Sequence, residues 1–251
     1  MPSSILLRIM KKWYRSWFNS PYYHILYAHR DYKEAELFID NIYKRLQPEP
    51  FAKVLDACCG RGRHSIYLNE KGLDVTGVDL SASNIKYAKQ YENQHLRFFE
   101  HDIRNTIASN IFDYVLNIFT SFGYFKRKNE DLKAFKSFHR ALKPGGYFLI
   151  DFLNVQVIQD QLKPFEQKTI EGIEFNIEKK IDQGLIKKSI RFVDEGVHYE
   201  FKEEVKALSY SDLKAYCQAV GFEIVDTYGD YQMRPFDLHL SERLIILAQK
   251  K

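Results

Sequence analysis

Short apolar runs alternate with amphipathic segments through the middle of the chain. The first run, Ala52 to Ala57, leads into a glycine turn and then into a segment with helical spacing, Arg61 to Lys71. Further runs with strand character lie at Asp74 to Asp79, Leu96 to Glu100, Phe112 to Asn117, Leu142 to Asp151, Phe222 to Gln232 and Arg243 to Gln249. Strands that alternate with helices predict an α/β fold with a mostly parallel sheet.

The glycine turn after the first strand has the features of a nucleotide-type pocket. Gly60 and Gly62 allow the backbone to adopt positive φ and to approach a ligand closely. The helix that follows presents free N–H groups at its start. Strand, turn and helix in this order predict a pocket at the carboxyl end of the first strand.

The residues around this turn narrow the choice of ligand. A dinucleotide-binding turn would read G-x-G-x-x-G, but Ser65 stands at the third glycine, and the chain has no Gly-Lys-Ser/Thr phosphate loop. Asp56 stands just before the glycines, where it would repel a pyrophosphate and would suit a ligand with a cationic group. Asp79 ends the second strand, where a carboxylate would grip a ribose diol.

Two later landmarks complete the pattern. His101-Asp102-Ile103 follows the third strand, and the turn Lys143-Pro144-Gly145-Gly146 precedes the fifth. With the glycine loop and Asp79, and in this order, they resemble the class I S-adenosylmethionine-dependent methyltransferases from Phe51 to Asp151. The resemblance implies a doubly wound, Rossmann-like sheet of seven mostly parallel strands, with S-adenosylmethionine as cofactor.

The resemblance also assigns roles to individual residues. Asp79 would hold both ribose hydroxyls, Asp102 and Ile103 would meet the adenine, and the glycine loop would frame the methionine part. The cofactor-binding candidates from the core are Asp56, Ala57, Cys58, Gly60, Gly62, His64, Asp79, Leu80, Asp102, Ile103, Asn117 and Phe119. Each of three residues also has a purely structural alternative. Asp79 could cap the next helix without touching a ligand, Asp102 could form part of an ordinary turn, and His64 could simply pack.

The N-terminal region supplies a predicted helical lid, residues 1–50, in front of a methyltransferase core, residues 51–251. In similar methyltransferases this region covers the cofactor, so Tyr23, Tyr27 and Arg30 are candidates to touch it. Arg30 could pair with the carboxylate of the methionine moiety or could equally be a surface arginine. A helix from Tyr32 to Arg45 is expected to end at the prolines that follow.

The first helix of this region is predicted to be basic and amphipathic, from Ser3 or Ser4 to about Phe18. Its apolar side carries Ile5, Leu6, Ile9, Met10, Trp13 and Trp17, and its basic side carries Arg8, Lys11, Lys12 and Arg15. Such a helix could anchor at a membrane surface or pack across the pocket or a neighbouring subunit. We favour packing, because cap helices are frequent in similar methyltransferases.

Beyond Asp151 the pattern changes to alternating runs separated by turn signals. The runs Lys168 to Asp182, Leu185 to Asp194 and Val197 to Ser209 are divided by Gln183-Gly184 and Glu195-Gly196. They predict a three-stranded antiparallel insertion at about 154–208. The insertion exceeds a normal loop, so we expect it to shape the acceptor site or an oligomer interface.

The chemistry that the resemblance implies needs little help from the protein. A methyl group on a sulfonium is already activated, so the rate depends mainly on positioning and desolvation. A base is needed only for a protonated acceptor, and Tyr124, His198, Tyr231 and His239 could serve, although none is singled out by spacing. The segment Phe119 to Phe125 falls where family members meet the methyl and the acceptor. No metal triad is evident.

Composition and missing motifs limit the acceptor and the location. The net charge of +4 comes from 37 basic and 33 acidic residues that are well mixed, which does not predict nucleic-acid binding. Three cysteines suggest no disulfide framework, which fits the cytoplasm. No apolar run reaches the roughly 18 residues of a membrane span. The chain lacks the Asn/Asp-Pro-Pro-Tyr motif of amino-methylating DNA and protein-glutamine enzymes and the Pro-Cys nucleophile of cytosine-5 enzymes.

These observations together predict a methyltransferase that acts on an N or O atom of a small molecule. The layout is similar to small-molecule N-methyltransferases of the amino-sugar and glycine type. Two alternatives stay open: methylation of a peptide or an RNA, and a non-catalytic S-adenosylmethionine-binding protein. Neither a nucleic-acid nor a membrane partner is expected, and a homo-oligomer is possible.

Overall fold

The computed structural model describes residues 13–27 and 32–251 and contains a seven-stranded sheet in the order β3-β2-β1-β4-β5-β11-β10. Strand β11 is antiparallel to both of its neighbours, and the remaining pairs are parallel. The strands of this sheet are β1 (Lys53–Ala57), β2 (Asp74–Asp79), β3 (Leu96–Glu100), β4 (Phe112–Asn117), β5 (Leu142–Leu153), β10 (Phe222–Tyr228) and β11 (Arg243–Lys250). This confirms the predicted doubly wound, mostly parallel architecture.

Three of the described helices precede β1, and the others follow strands along the chain. They are α1 (Trp13–Phe18), α2 (Pro21–Leu26), α3 (Tyr32–Leu46), α4 (Arg63–Glu70), α5 (Ala82–Ala88), α6 (Lys128–Ala141), α7 (Val155–Gln161) and α8 (Tyr210–Val220). Ser81 caps α5 and accepts a hydrogen bond from the Asn84 N–H, and Ser209 caps α8. Helix α6 begins directly after Arg127, whose N–H donates to the side chain of Glu130 in the first turn.

Apolar side chains cover both faces of the large sheet. Leu149 on β5 belongs to a buried cluster with Phe38 of α3 and Leu68 of α4. Its neighbour Phe148 packs instead against Phe135 of α6 and Phe222 of β10, with ring centroids 5.5 Å and 5.1 Å away. Because successive residues of a strand point to opposite faces, the sheet is sandwiched between two helical layers.

The region after β5 forms a second, antiparallel sheet of four strands, in the order β6-β7-β8-β9. Its strands are β6 (Phe165–Ile170), β7 (Ile173–Asp182), β8 (Leu185–Asp194) and β9 (Val197–Lys206). The prediction of three strands was wrong, because Glu171 and Gly172 adopt φ values of +50° and +80° and break the first alternating run into a hairpin. The two predicted turns, at Gln183-Gly184 and Glu195-Gly196, have the same left-handed pair of φ values and are confirmed.

Helices α1 and α2 pack on one face of this small sheet. The ring of Trp17 lies 4.6 Å from that of Phe201, and its Nε1 donates to Glu203 Oε1 at 2.6 Å. The Tyr27 hydroxyl donates to the same oxygen at 2.8 Å. These contacts explain why the apolar side of the N-terminal segment is buried where the structure describes it.

The chain accordingly divides into two compact units. Residues 13–27 and 159–207 form one, and residues 32–158 and 208–251 form the other. The N-terminal fifty residues are therefore shared between the units, since α3 belongs to the unit with the large sheet, and the predicted lid role stays a prediction. Residues 1–12, with most of the predicted basic helix, and Arg30 lie outside the described residues. Among the helices that the structure describes, none is both long and apolar enough to cross a membrane.

Candidate active site

The glycine turn between β1 and α4 has a left-handed backbone at three positions. Cys58, Gly60 and Gly62 have φ values of +68°, +57° and +84°. A Cβ at Gly62 would lie 2.7 Å from the ring of Phe98, so both conformation and space require glycine there. A Cβ at Gly60 would meet nothing within 4 Å, so the open side of the turn is at Gly60.

Asp79, at the end of β2, is joined to this turn by a hydrogen bond. The Gly60 N–H donates to Asp79 Oδ2 at 2.9 Å, and the Ser81 N–H donates to Oδ1 at 2.8 Å. Burial raises the pKa of Asp79, while these backbone donors oppose the shift. An ionised carboxylate offers about four acceptor sites, so each oxygen can still accept a hydrogen bond from a ligand.

Asp56 lies beneath the turn and is fully buried. Its Oδ2 accepts a 2.6 Å hydrogen bond from the hydroxyl of Ser65, in the first turn of α4. Burial raises the pKa of Asp56 to about 6. The role of Asp56 toward a ligand, through its charge or by direct contact, stays a prediction.

The three predicted acids surround one residue of the turn. Burial, and then the charges of Asp79, Asp56 and Asp102, raise the pKa of the Cys58 thiol. The N–H of His101 donates to the carbonyl of Asp79 at 2.8 Å, which places the end of β3 beside the end of β2. The structure therefore brings these three acids together, and their roles toward a cofactor stay predictions.

Asp102 also has a partner that the sequence analysis did not foresee. Arg104 Nε donates to Asp102 Oδ1 at 3.0 Å and Nη2 donates to Oδ2 at 2.5 Å. The same guanidinium binds Glu130 Oε1 at 2.6 Å through Nη1. The hydrogen bonds from Arg104 lower the pKa of Asp102, which fixes the carboxylate in its ionised form. The neighbouring Ile103 is buried.

Asn117, the last residue of β4, is oriented by the first strand. Its Nδ2 donates to the carbonyl of Ala57 at 2.9 Å. Its Oδ1 is buried and has no hydrogen-bond partner within the described part of the chain. Because buried acceptors are nearly always paired, this oxygen is suited to accept a hydrogen bond from a ligand.

The chain after β4 makes an unusual turn. Phe119 and Thr120, neither of them glycine, have φ values of +60° and +54°. The ring of Phe119 packs against the buried imidazole of His64 at 4.9 Å. Burial holds the pKa of His64 well below its usual value, so that imidazole is neutral. The turn and the first turn of α4 are thus in direct contact.

Comparison with known proteins identifies the family. Residues 54–146 match the methyltransferase domain family. The chain is 31% identical over 208 residues to the Bacillus subtilis (strain 168) protein YqeM, which is named as a methyltransferase, covering 79% of this chain and 84% of that one. The chain belongs to the S-adenosylmethionine-dependent methyltransferases. A glycine/sarcosine N-methyltransferase of Aphanothece halophytica is 30% identical over 214 residues, covering 81% of this methyltransferase and 77% of that protein.

A solved structure has the same fold. The S-adenosylmethionine-dependent methyltransferase from Clostridium acetobutylicum ATCC 824 superposes with a TM-score of 0.76 at 24% identity, covering 91% of this methyltransferase and 96% of that chain. At this identity the likeness shows the fold.

The residues of the glycine turn fit S-adenosylmethionine, the cofactor of this family. A ribose offers two hydroxyl donors, and Asp79 has an acceptor site on each oxygen. The cationic methionine end suits the negative charge of Asp56, and its ammonium suits the unpartnered Oδ1 of Asn117. The individual assignments, including half-buried Leu80, stay predictions.

The predicted bases are found in different places. The Tyr124 hydroxyl donates to the carbonyl of Thr120 at 2.8 Å, and the Tyr231 ring stacks 5.3 Å from Phe119. Both tyrosines therefore lie beside the unusual turn. His198 is exposed on β9 of the small sheet, and His239 is exposed in the loop before β11.

The predicted lid residues lie in the unit with the small sheet. Tyr23 packs edge-on against Trp17 at 5.6 Å, and Tyr27 is bonded to Glu203. Their contact with the cofactor stays a prediction, as does that of Arg30.

Three site residues were missed by the sequence analysis: Arg104, Asp151 and Arg243. Arg104 follows Asp102 by two positions, a spacing that permits a local ion pair. Asp151 and Arg243 each adjoin a run of apolar residues, Phe148 to Ile150 and Leu244 to Ala248, and a charge at the end of such a run is a signal that could have marked them.

Proposed function

We propose that this methyltransferase transfers a methyl group from S-adenosylmethionine to an amine nitrogen of a small molecule. The observation that carries the proposal is its 30% identity to a glycine/sarcosine N-methyltransferase across 77% of that protein. The similarity extends well beyond the cofactor half of the fold, so it includes the segments after β4 and β5. An oxygen acceptor is the weaker alternative, because that relative is named for nitrogen acceptors.

Within this proposal, the glycine turn and the ends of β2 and β4 bind the cofactor. Asp79 accepts hydrogen bonds from the ribose, and Asn117 Oδ1 accepts one from the methionine ammonium. Both assignments are supported by free acceptor capacity at these positions. Gly60 leaves the open space into which the ligand enters.

The acceptor is proposed to bind beside the Phe119–Thr120 turn. When bound, the cofactor supplies a methyl group that its sulfonium has already activated, so the protein contributes positioning and exclusion of water. If the amine arrives protonated, the Tyr231 hydroxyl is suited to accept its proton while passing its own to the carboxylate of Asp151. Tyr124 is the other candidate at the turn.

The proposal is tested by turnover with a labelled methyl donor. We expect label transfer to a small amine from a panel of glycine, sarcosine, amino sugars and a metabolite extract, with S-adenosylhomocysteine formed in equal amount. Transfer to an RNA or a peptide, with none to any small molecule, would overturn the acceptor class. Cofactor binding without turnover on any acceptor would favour the non-catalytic alternative.

Calorimetry provides a second arm that does not depend on the acceptor. S-adenosylhomocysteine is expected to bind in the micromolar range and NAD more weakly by orders of magnitude, because Asp56 repels a pyrophosphate and the third glycine is absent. Tight binding of NAD, with no binding of S-adenosylhomocysteine, would contradict this.

A further inference from the structure

We infer that Asp151 and Arg243 are positioning residues for methyl transfer, which hold the Phe119–Thr120 turn in the conformation that forms the acceptor side of the site. The inference rests on the proposed function for the place of the acceptor. The contacts themselves lie within the unit that contains the large sheet.

The turn has a conformation that it cannot keep by itself. Phe119 and Thr120 both have positive φ, at +60° and +54°. Two successive side-chain-bearing residues in this region are strained, and such strain persists only where the surroundings enforce it. The groups that enforce it therefore control where the turn lies.

Asp151 binds both residues of the turn. Its Oδ2 accepts a hydrogen bond from the Phe119 N–H at 2.8 Å, and its main-chain carbonyl accepts one from the Thr120 N–H at 3.1 Å. The side chain is fully buried near the end of β5. Because Asp151 accepts hydrogen bonds from two consecutive amides, the turn is held directly against the end of β5.

Arg243 completes the arrangement from the adjacent strand. Its Nε donates to Asp151 Oδ1 at 2.8 Å, and its Nη2 donates to the Thr120 hydroxyl at 2.9 Å. Only 14% of its side chain is exposed. Arginine suits this place because its planar fork reaches two acceptors at once, which a lysine ammonium does with less geometric control.

A purely structural role does not account well for this pair. The neighbours of Asp151 and Arg243 along β5 and β11 are apolar and buried, namely Ile150, Phe152, Leu244 and Ile245. Replacing a buried ion pair by well-packed apolar side chains is often neutral or stabilising. The charges are placed where β5 and β11 meet the turn, and they contact the turn itself.

The held turn is connected to other parts of the site. The Phe119 ring lies between His64 of α4 and Tyr231, with centroid distances of 4.9 Å and 5.3 Å. The Tyr231 hydroxyl donates to Asp151 Oδ2 at 3.3 Å. A displaced turn would therefore move Phe119 and Tyr231 together, on the side of the site where the acceptor is proposed to bind.

The test compares Asp151→Asn and Arg243→Lys with a matched control, Asp131→Asn. An amide has one acceptor oxygen, so Asp151→Asn cannot serve both Arg243 and the Phe119 N–H. Asp131 is also a fully buried acid, bonded to the Tyr216 hydroxyl at 3.0 Å between α6 and α8. The control reproduces the loss of a buried carboxylate without touching the turn.

The substrate for this test is the acceptor that the labelling assay identifies. For methyl transfer to it, the kcat of both variants at the turn should be about 10- to 100-fold lower than that of the unaltered enzyme. The Kd for S-adenosylhomocysteine should stay within about threefold, because the glycine turn is unchanged. The control should keep kcat near that of the unaltered enzyme even if its Tm falls. Equal loss of kcat in all three variants, or normal kcat in both variants at the turn, would overturn the inference.

Hydrogen exchange with S-adenosylhomocysteine bound separates this inference from the proposed function, because it needs no acceptor. The amides of Phe119 and Thr120 should exchange about tenfold faster or more in Asp151→Asn than in the unaltered protein, and at the normal rate in Asp131→Asn. Unchanged exchange at both amides in Asp151→Asn would refute the positioning role, whatever acceptor the enzyme uses.

Discussion

The backbone N–H of Gly60 donates a 2.9 Å hydrogen bond to the carboxylate of Asp79. This bond joins the glycine turn after β1 to the end of β2, so the two features that resembled a cofactor site in the sequence are one structural unit. A change at either residue should therefore alter both the shape of the turn and the carboxylate that is proposed to accept hydrogen bonds from the ribose.

The first prediction concerns Asp79→Ala. Loss of the charged acceptor should weaken binding of S-adenosylhomocysteine by roughly 2–4 kcal/mol, measured by calorimetry. The turn also loses the partner of the Gly60 N–H, so the Tm should fall slightly. Asp74→Ala, at the other end of β2, is the control and should bind normally. Normal binding by Asp79→Ala would remove this residue from the site.

The second prediction compares two glycines with the same backbone conformation. Gly62 and Gly72 have φ values of +84° and +86°, but only at Gly62 would a Cβ strike a neighbour, the ring of Phe98. Gly72→Ala should cost about 1–2 kcal/mol of unfolding free energy for conformation alone. Gly62→Ala should cost about 1–3 kcal/mol more, because the clash forces the core to shift. Urea unfolding measures both, and equal losses would contradict the steric argument.

The third prediction is a pH dependence that arises from Asp56. Its pKa is about 6 in the folded protein, against an ordinary value of 3.8. Between these values the folded state binds a proton that the unfolded state has released, so the contribution of Asp56 to stability falls as pH rises. The difference corresponds to roughly 3 kcal/mol.

Asp56→Asn removes this titration. Its stability relative to the unaltered protein should increase from about pH 4 to about pH 6 and then level off, measured by urea unfolding of the apoprotein. Asp74→Asn, a partly exposed acid on the same sheet, controls for the general effect of pH. A relative stability of Asp56→Asn that does not change over this range would contradict the raised pKa.

The fold was largely predictable because its signals are local. Each strand of the large sheet is a short apolar run, and the caps Ser81 and Ser209 mark helix starts within a few residues. The hairpin at Glu171-Gly172 was missed although its signal is present, because the same Glu-Gly dipeptide marks the confirmed turn at Glu195-Gly196. The alternating residues on either side led instead to the prediction of one continuous strand.

The candidate site was predictable only in part. The acids of the cofactor half lie at or just beyond the carboxyl ends of parallel strands, so the topology alone brings them together. Asp151 and Arg243 are 92 positions apart and meet because β11 pairs antiparallel with β5. That pairing depends on the sheet order, which the apolar runs do not specify.

The fourth prediction concerns the N-terminal helices. Trp17 is fully buried against the small sheet, so Trp17→Ala should cost about 3–5 kcal/mol of local stability and expose 13–27 to proteolysis. Ser16→Ala, at an exposed neighbouring position, is the control.

We also expect no binding of the full-length chain to anionic vesicles at physiological salt. Co-sedimentation that is abolished by deleting residues 1–19 would instead support a membrane-surface helix.

The last prediction separates the four candidate bases. His198 is exposed on the small sheet, and His239 is exposed in the loop before β11. At the turn, the hydroxyl of Tyr124 donates to Thr120 and that of Tyr231 donates to Asp151. His198→Gln and His239→Gln should therefore leave methyl transfer within about twofold. Tyr231→Phe should lower kcat about 10- to 100-fold if its hydroxyl accepts the proton of the amine while passing its own to Asp151. The pH–rate profile discriminates further, because this relay from an ammonium is needed only below the pKa of the acceptor amine. The defect of Tyr231→Phe should shrink as pH rises, and a defect that is equal at every pH would assign Tyr231 to positioning instead.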